Sequence, residues 1–143
     1  TYMAERGARM TGVDATPVML DAFARHLPRA TAVAADMRGL DLKQDFDGVL
    51  AWDSFFHLTP DEQRDCLPRL AAHLKPGGLL MTTVGPRAGE VSGKVGGEDV
   101  YHASLSPAEY AQVLESCGMT LTAFMAEDPG CDFHTVLMAR RAA

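Results

Sequence analysis

Three aspartates and two histidines carry most of the chemistry open to this chain. Asp14, Asp36 and Asp53 each close a short apolar run: Arg9-Met10-Thr11-Gly12-Val13, Thr31 to Ala35, and Phe46 to Trp52. In a doubly wound α/β sheet, an acid at the carboxyl end of a strand stands where a ribose can be held by its two hydroxyls. Three such runs deliver three carboxylates to one edge of a sheet. His57 follows the third run within Ser54-Phe55-Phe56-His57-Leu58, and His102 stands in Tyr101-His102. With an ordinary pKa of ~6.5, histidine suits the removal of a proton from a nucleophile.

Each residue also has a plainer use. Asp14 could complement the dipole of the helix that opens at Thr16, worth ~0.3–1 kcal/mol. Its place after a strand rather than inside that helix favours the ribose. Asp36 could cap a turn, and Asp53 could be a solvated loop residue, although its position behind Trp52 argues for lining a site. Met19 and Met37 serve packing first, and a thioether beside an adenine would serve both ends. Trp52, the sole tryptophan, reads as core unless its ring faces a cleft. His26 and His73 lie on the polar sides of amphipathic helices and read as surface residues. A structural histidine is the commoner outcome at any one position, His57 and His102 included.

The elements that must position these groups alternate along the chain. Ala8 to Val13 reads as a buried strand, behind a first segment that reads as the tail of a helix. Thr16-Pro17 opens the next helix as N-cap and first turn. Its apolar face is Leu20, Phe23, Ala24 and Leu27 at helical spacing, and Pro28 stops it. Thr31 to Ala35 and Phe46 to Trp52 are further strands, separated by an irregular stretch through Gly39 to Gln44. Thr59-Pro60-Asp61-Glu62 is a capping box ahead of a long helix with Leu67, Leu70, Ala71 and Leu74 inward. Pro68 inside that stripe predicts a kink or break. Lys75-Pro76-Gly77-Gly78 is a tight turn into the strand Leu79 to Val84. Gly85 to Ser104 holds five glycines and little periodicity, so it reads as a long mobile lid loop. Ser106-Pro107-Ala108-Glu109 is a second capping box, and Gly118 fits the end of its helix. Thr120 to Glu127 and Phe133 to Arg140 flank Asp128-Pro129-Gly130 as an antiparallel hairpin.

Composition narrows the function classes. The 143 residues suit one domain, 1–143, and 47% hydrophobic with 22% charged residues is globular composition. A net charge of −6 without a Lys/Arg cluster excludes a general nucleic-acid or anionic-membrane binder. No apolar run approaches the ~20 residues of a membrane span. Cys66, Cys117 and Cys131 form no C-x-x-C pair, so neither a metal site nor a disulfide framework is indicated, and a reduced, cytoplasmic compartment follows.

An alternating α/β series that ends in an antiparallel hairpin resembles the class I S-adenosylmethionine-dependent methyltransferases. The resemblance rests on Gly12-Val13-Asp14, Ala35-Asp36-Met37, Leu50-Ala51-Trp52-Asp53, Leu74-Lys75-Pro76-Gly77-Gly78 and the Gly118 turn into the closing hairpin. It implies a doubly wound, mostly parallel sheet with helices on both faces, strand order 3-2-1-4-5-7-6 and the seventh strand antiparallel. It implies S-adenosylmethionine as cofactor and a small-molecule acceptor. Carried over by position, Asp14 and Ala15 would meet the ribose, and Asp36 would accept from the adenine amino group beside Met37 and Met19. Ala51 and Trp52 would lie near the methionine amine. Asp53, Phe56, Arg87 and Tyr101 would line the acceptor site, with His57 or His102 as base. The family's first strand and G-x-G-x-G loop are not among these residues. The family places that strand between Ala8–Val13 and Phe46–Trp52, so an upstream strand and glycine loop are expected. Two further readings share the scaffold: a nicotinamide-dependent oxidoreductase, whose ribose also meets an acid after the second strand, and a non-catalytic binding module.

Overall fold

The computed structural model describes residues 2–95 and 97–143. Gly96, one of the glycines behind the lid-loop reading, lies outside the described residues, as does Thr1. The chain divides into two compact units, 1–40 and 41–143.

The first unit runs α1 (Tyr2–Glu5), β1 (Thr11–Asp14), α2 (Pro17–His26) and β2 (Thr31–Ala34), then a 3₁₀ turn at Met37–Gly39. β1 and β2 pair in parallel, Thr11 opposite Thr31 through Asp14 opposite Ala34. Thr16 and Pro17 begin α2 where expected, but the Thr16 hydroxyl does not cap it. It donates to Asp14 Oδ1 at 2.6 Å instead, beside the Thr16 backbone N–H at 2.7 Å. Gly12 is small for a packing reason: a Cβ there would sit 2.6 Å from the Phe23 ring of α2.

The second unit carries β3 (Phe46–Ala51), α3 (Pro60–Ala72), β4 (Leu74–Val84), β5 (Gly89–Val95), β6 (Glu98–Ser104), α4 (Pro107–Ser116), β7 (Met119–Asp128) and β8 (His134–Arg141). Its main sheet has the order β3-β4-β8-β7, with β3 parallel to β4 and β8 antiparallel to both neighbours. That is the 4-5-7-6 part of the expected order, and the β1-β2 pair is its 2-3 part. Leu67 and Leu70 of α3, Leu114 of α4, and Leu80, Val136 and Leu137 of the sheet form the buried centre. Each such side chain contributes about 1.5–3 kcal/mol by leaving water.

The local signals resolve unevenly. At the start of α3 the capping box is complete: the Glu62 N–H donates to Thr59 Oγ1 at 3.3 Å, and the Thr59 N–H to Glu62 Oε2 at 2.8 Å. Pro68 does not break α3, which is one segment through Ala72. The flanking Leu67, Leu70 and Ala71 are buried, and their packing outweighs the one backbone bond that proline removes. At α4 only half a box forms. Ser106 accepts from the Glu109 N–H, while the Glu109 carboxylate takes Arg64 Nε of α3 at 2.8 Å. His73 is not a surface residue but buried. Its Nδ1 donates to the Arg69 carbonyl at 2.7 Å, which leaves Nε2 to accept from the Leu42 N–H at 2.9 Å. A helical wheel cannot see that second partner, 31 residues away.

Residues 85–104 form no irregular loop. β5 and β6 are an antiparallel hairpin, in register from Gly89 opposite Ser104 to Val95 opposite Glu98. The base is buried through Ala103, Ser104 and Leu105, while Val91 further out is 68% exposed. A ribbon with both faces largely in water needs no apolar alternation, so its sequence carries none. Among the described residues, no helix is long and apolar enough to cross a membrane.

Lys75-Pro76-Gly77-Gly78 is absorbed into β4 as an irregularity, where pairing with β3 jumps from Phe46–Leu74 to Gly48–Leu79. Gly77 has a φ of +76°, and a Cβ on Gly78 would meet the Lys75 carbonyl oxygen at 2.9 Å. Gly78→Ala is therefore expected to destabilise by about 1–3 kcal/mol in chemical denaturation, the usual cost of overpacking. Gly48→Ala, whose Cβ would meet Leu79 O at an ordinary 3.6 Å, is expected to stay within about 0.5 kcal/mol. Equal losses in the two variants would refute this account of the turn.

Candidate functional site

In the first unit, parallel pairing brings two acids to the same strand edge. Asp14 ends β1 opposite Ala34, the Ala35 N–H donates to the Asp14 carbonyl at 3.1 Å, and Asp36 follows one residue later. One carboxylate oxygen of Asp14 is committed to the turn at Thr16. Asp36 is gripped by Arg38, whose backbone N–H and guanidinium reach its carboxylate. The side-chain bonds from Arg38, then its backbone N–H, hold the Asp36 pKa down at about 2. Met19 is 57% exposed and, with Asp14 and Leu20, borders a shallow depression over β1. Ala15 is exposed in the turn between Asp14 and α2, and Met37 is half-buried in the 3₁₀ turn after Asp36. An acceptor oxygen at a strand end, beside an apolar floor, fits a hydroxylated sugar bearing a flat base.

The second unit holds two clusters. In the first, Phe56 and His57 of the 3₁₀ turn Phe55–His57 meet His102 of β6. Both imidazoles stand edge-on to the Phe56 ring with centroids 4.7 Å away, and their own centroids are 5.0 Å apart. His57 Nδ1 lies 3.1 Å from the Tyr101 carbonyl oxygen. A carbonyl can only accept, so Nδ1 carries the proton and the Nε2 lone pair of the neutral ring is the basic one. Partial desolvation, and then the charge of His57, push the His102 pKa below its ordinary value. Tyr101 and His102 are consecutive on a strand and leave opposite faces of it. The Tyr101 phenol accordingly bonds Glu90 of β5 at 2.7 Å, and that bond first of all lifts its pKa to about 12. Thus the structure brings His57, Phe56 and His102 together, and Tyr101 joins them through its carbonyl alone.

The second cluster lies at the carboxyl end of β3. Ala51 is buried, and its carbonyl accepts from Thr82 Oγ1 at 3.0 Å. Thr83 Oγ1 accepts from the Asp53 N–H at 2.8 Å, and Asp53 has a φ of +49°. The Asp53 carboxylate pairs with His134 Nε2 of β8 at 2.8 Å. The Trp52 ring packs on the same imidazole at 5.2 Å between centroids, and at 36% exposure Trp52 is no core residue. Arg87 stands exposed between β4 and β5. His134 was missed in the sequence because nothing local marks it; an antiparallel return strand had to place it beside Asp53. Its Nδ1 donates to the Cys131 carbonyl at 2.7 Å, and that bond, followed by Asp53, raises its pKa.

With both nitrogens donating, His134 works as an imidazolium tie between the exit of β3 and β8. The folded pKa is raised, so stability from this tie is complete below the ordinary histidine range of about 6.5 and fades as pH rises through the folded value. In thermal melts, the advantage of the wild type over His134→Gln is expected to be larger just below that range than at alkaline pH. An advantage that does not vary with pH would count against the imidazolium.

Comparison with known proteins identifies the family and the fold. The family described as the methyltransferase domain matches residues 1–78. No curated protein matches the sequence. Among solved structures, the chain is similar to SAM-bound CalS10, an amino pentose methyltransferase from Micromonospora echinaspora involved in calicheamicin biosynthesis. Identity is 19% over 94% of this chain and 74% of that one, with a TM-score of 0.75. It is also similar to the Burkholderia thailandensis 1,6-didemethyltoxoflavin-N1-methyltransferase, solved with 1,6-didemethyltoxoflavin and S-adenosylhomocysteine. There identity is 26% over 99% of this chain and 65% of that one, with a TM-score of 0.74. A third is the CcbJ methyltransferase from Streptomyces caelestis, at 21% identity over 99% and 78% of the two chains and a TM-score of 0.74. The chain thus spans about two thirds to three quarters of the length of these proteins. With a β3-β4-β8-β7 sheet whose β8 runs antiparallel, and a family match over more than half its residues, the chain belongs to the methyltransferase domain family, with the fold of the class I S-adenosylmethionine-dependent enzymes.

Proposed function

We propose that this methyltransferase acts on a small-molecule acceptor, holding the adenosine of S-adenosylmethionine at the Asp14–Asp36 strand edge and using His57 or His102 as the base. The pairing register of β1 and β2 is the observation that carries the cofactor half, since it sets two carboxylates at one edge. Small-molecule acceptors are supported by the names of two similar proteins, which concern an amino pentose and 1,6-didemethyltoxoflavin. Cys66, Cys117 and Cys131 are thiols rather than disulfides, which favours a reducing, cytoplasmic setting.

S-adenosylmethionine, when bound, supplies an electrophilic methyl group on a sulfonium. The chain's own residues then bind, orient and deprotonate. Asp14 accepts from the ribose hydroxyls with the oxygen that Thr16 leaves over. Asp36, kept ionised by Arg38, shares its oxygens with the adenine amino group, with Met19 and Met37 against the base and Ala15 beside the sugar. Ala51 and Trp52 stand at the methionine end, with Asp53 and Arg87 on the acceptor's side. Phe56 packs against His57, whose Nε2 takes the proton of a hydroxyl or ammonium acceptor. The β5–β6 hairpin, through His102 and Tyr101, is the element that selects the acceptor.

Asp14→Ala is expected to weaken S-adenosylhomocysteine binding by ~1.5–3 kcal/mol in calorimetry, the worth of charge-assisted hydrogen bonds, with little change in melting. An unchanged dissociation constant removes Asp14 from the site. With an acceptor in hand, His57→Ala or His102→Ala is expected to lower turnover by 10²–10⁴-fold while cofactor affinity holds within a few-fold. If both variants turn over like the wild type, the reaction runs on positioning alone.

A further inference from the structure

The side chain that joins the two histidine-bearing segments is neither histidine nor aromatic. Gln63 lies on the first turns of α3 and is fully buried. Its Nε2 donates to the Leu58 carbonyl at 3.0 Å and to the Ala103 carbonyl at 2.8 Å. Leu58 is the residue after His57, and Ala103 is the residue after His102. One amide group therefore grips the backbone immediately behind each imidazole. Its other end is fixed as well: the Tyr110 hydroxyl of α4 donates to Gln63 Oε1 at 2.6 Å. Tyr110 is itself fully buried, and its oxygen accepts from the Leu105 N–H at 3.2 Å and meets Ser104 Oγ at 3.1 Å. Ser104 Oγ in turn accepts from the Gly85 N–H at 3.1 Å. Among the described residues, no buried side-chain nitrogen or oxygen is left without a partner, so the centre is saturated.

We infer that Gln63 is a positioning residue for the methyl-transfer site, setting the separation of His57 and His102 by bracketing the carbonyls that follow them. This deepens the base assignment above and rests on it for its meaning, not for its test. An amide suits the task physically. It offers two donors at a fixed angle, and burial makes any loss of them costly. A leucine of similar bulk could fill the space yet hold neither carbonyl. Its neighbours on α3 have other tasks: Glu62 caps the helix at Thr59, and Arg64 bonds Asp61 and Glu109. The titratable and charged groups facing the histidine pair are few. They are each other; the Tyr101 phenol, bonded to Glu90 and acted on by the charge of Glu62, leaves the opposite face of the strand.

The test reads the coupling between the two imidazoles by NMR titration of the full chain, with no cofactor or acceptor present. In the otherwise native protein, His57→Gln should shift the His102 titration upward, because it removes the neighbouring charge. In a Gln63→Leu background that shift should be lost. Tyr110→Phe is the control for mere destabilisation, since it removes a hydroxyl from the same buried centre but leaves both amide donors in place. It should lower the melting temperature and keep the shift. Should Gln63→Leu fail to fold, Gln63→Met, of the same length and flexibility, is expected to show the same loss. The inference is overturned if a folded Gln63 variant keeps the full His57-dependent shift, or if Tyr110→Phe abolishes it as completely as Gln63→Leu. The base assignment falls on a different result, wild-type turnover in His57→Ala and His102→Ala.

Discussion

The candidate residues of the second unit depend on two buried hydroxyls of β4. With β8 it is one of the two inner strands of the sheet, parallel to β3 and antiparallel to β8, and Leu80, Thr82, Thr83 and Val84 along it are buried. Two adjacent threonines on a buried strand leave two hydroxyls that must find partners. Both find them at the end of β3: Thr82 Oγ1 donates to the Ala51 carbonyl, and Thr83 Oγ1 accepts from the Asp53 N–H. The need to satisfy buried oxygens thus fixes the backbone from which Trp52 and Asp53 project. One residue past its end, β4 does the same for the hairpin, where Gly85 bonds Ser104 through both its N–H and its carbonyl.

The placing of the candidate site residues therefore rests on polar groups inside an apolar frame. Leucines and valines give the unit its stability, but they are interchangeable in kind and carry no direction. The Thr82–Ala51, Thr83–Asp53 and Gln63–Tyr110 bonds do carry direction. Each joins segments about 30 to 50 residues apart in sequence; the first two end on the backbone of Ala51 and Asp53, and the third anchors the amide that holds the Leu58 and Ala103 carbonyls.

Much of this was legible in the sequence, and the boundary is physical. Thr59-Pro60 and Ser106-Pro107 announced their helices, because a cap is a matter between residues three apart. The apolar runs ending in Asp14, Asp36 and Asp53 announced parallel strands. Lys75-Pro76-Gly77-Gly78 and the Asp128-Pro129-Gly130 hairpin pointed to a methyltransferase rather than a nicotinamide enzyme. What stayed hidden depends on partners remote in sequence. His73 looked like a surface residue because its second partner, the Leu42 N–H, lies outside its helix. His134 met Asp53 only because a return strand brought it there. The β5–β6 ribbon was hidden for the opposite reason, since paired backbone in water writes no pattern into side chains. His57 and His102 were both picked out on position, but their contact through Phe56 came only with the ribbon.

The hairpin also sets unequal terms for sequence drift. Its root is fully committed: Ala103, Ser104 and Leu105 are buried, and Ser104 answers to Gly85 and Tyr110. Further out, Ser92, Gly93 and Lys94 face Tyr101, Val100 and Asp99 across an exposed ladder held by backbone bonds that any residue but proline can supply. Substitutions there cost the fold little, whereas those at the root disturb the packed centre. A lineage can accordingly rewrite the outer hairpin many times over while the contact of His57, Phe56 and His102 at its inner part stands still, so sequence change collects at one end of the ribbon and is purged at the other.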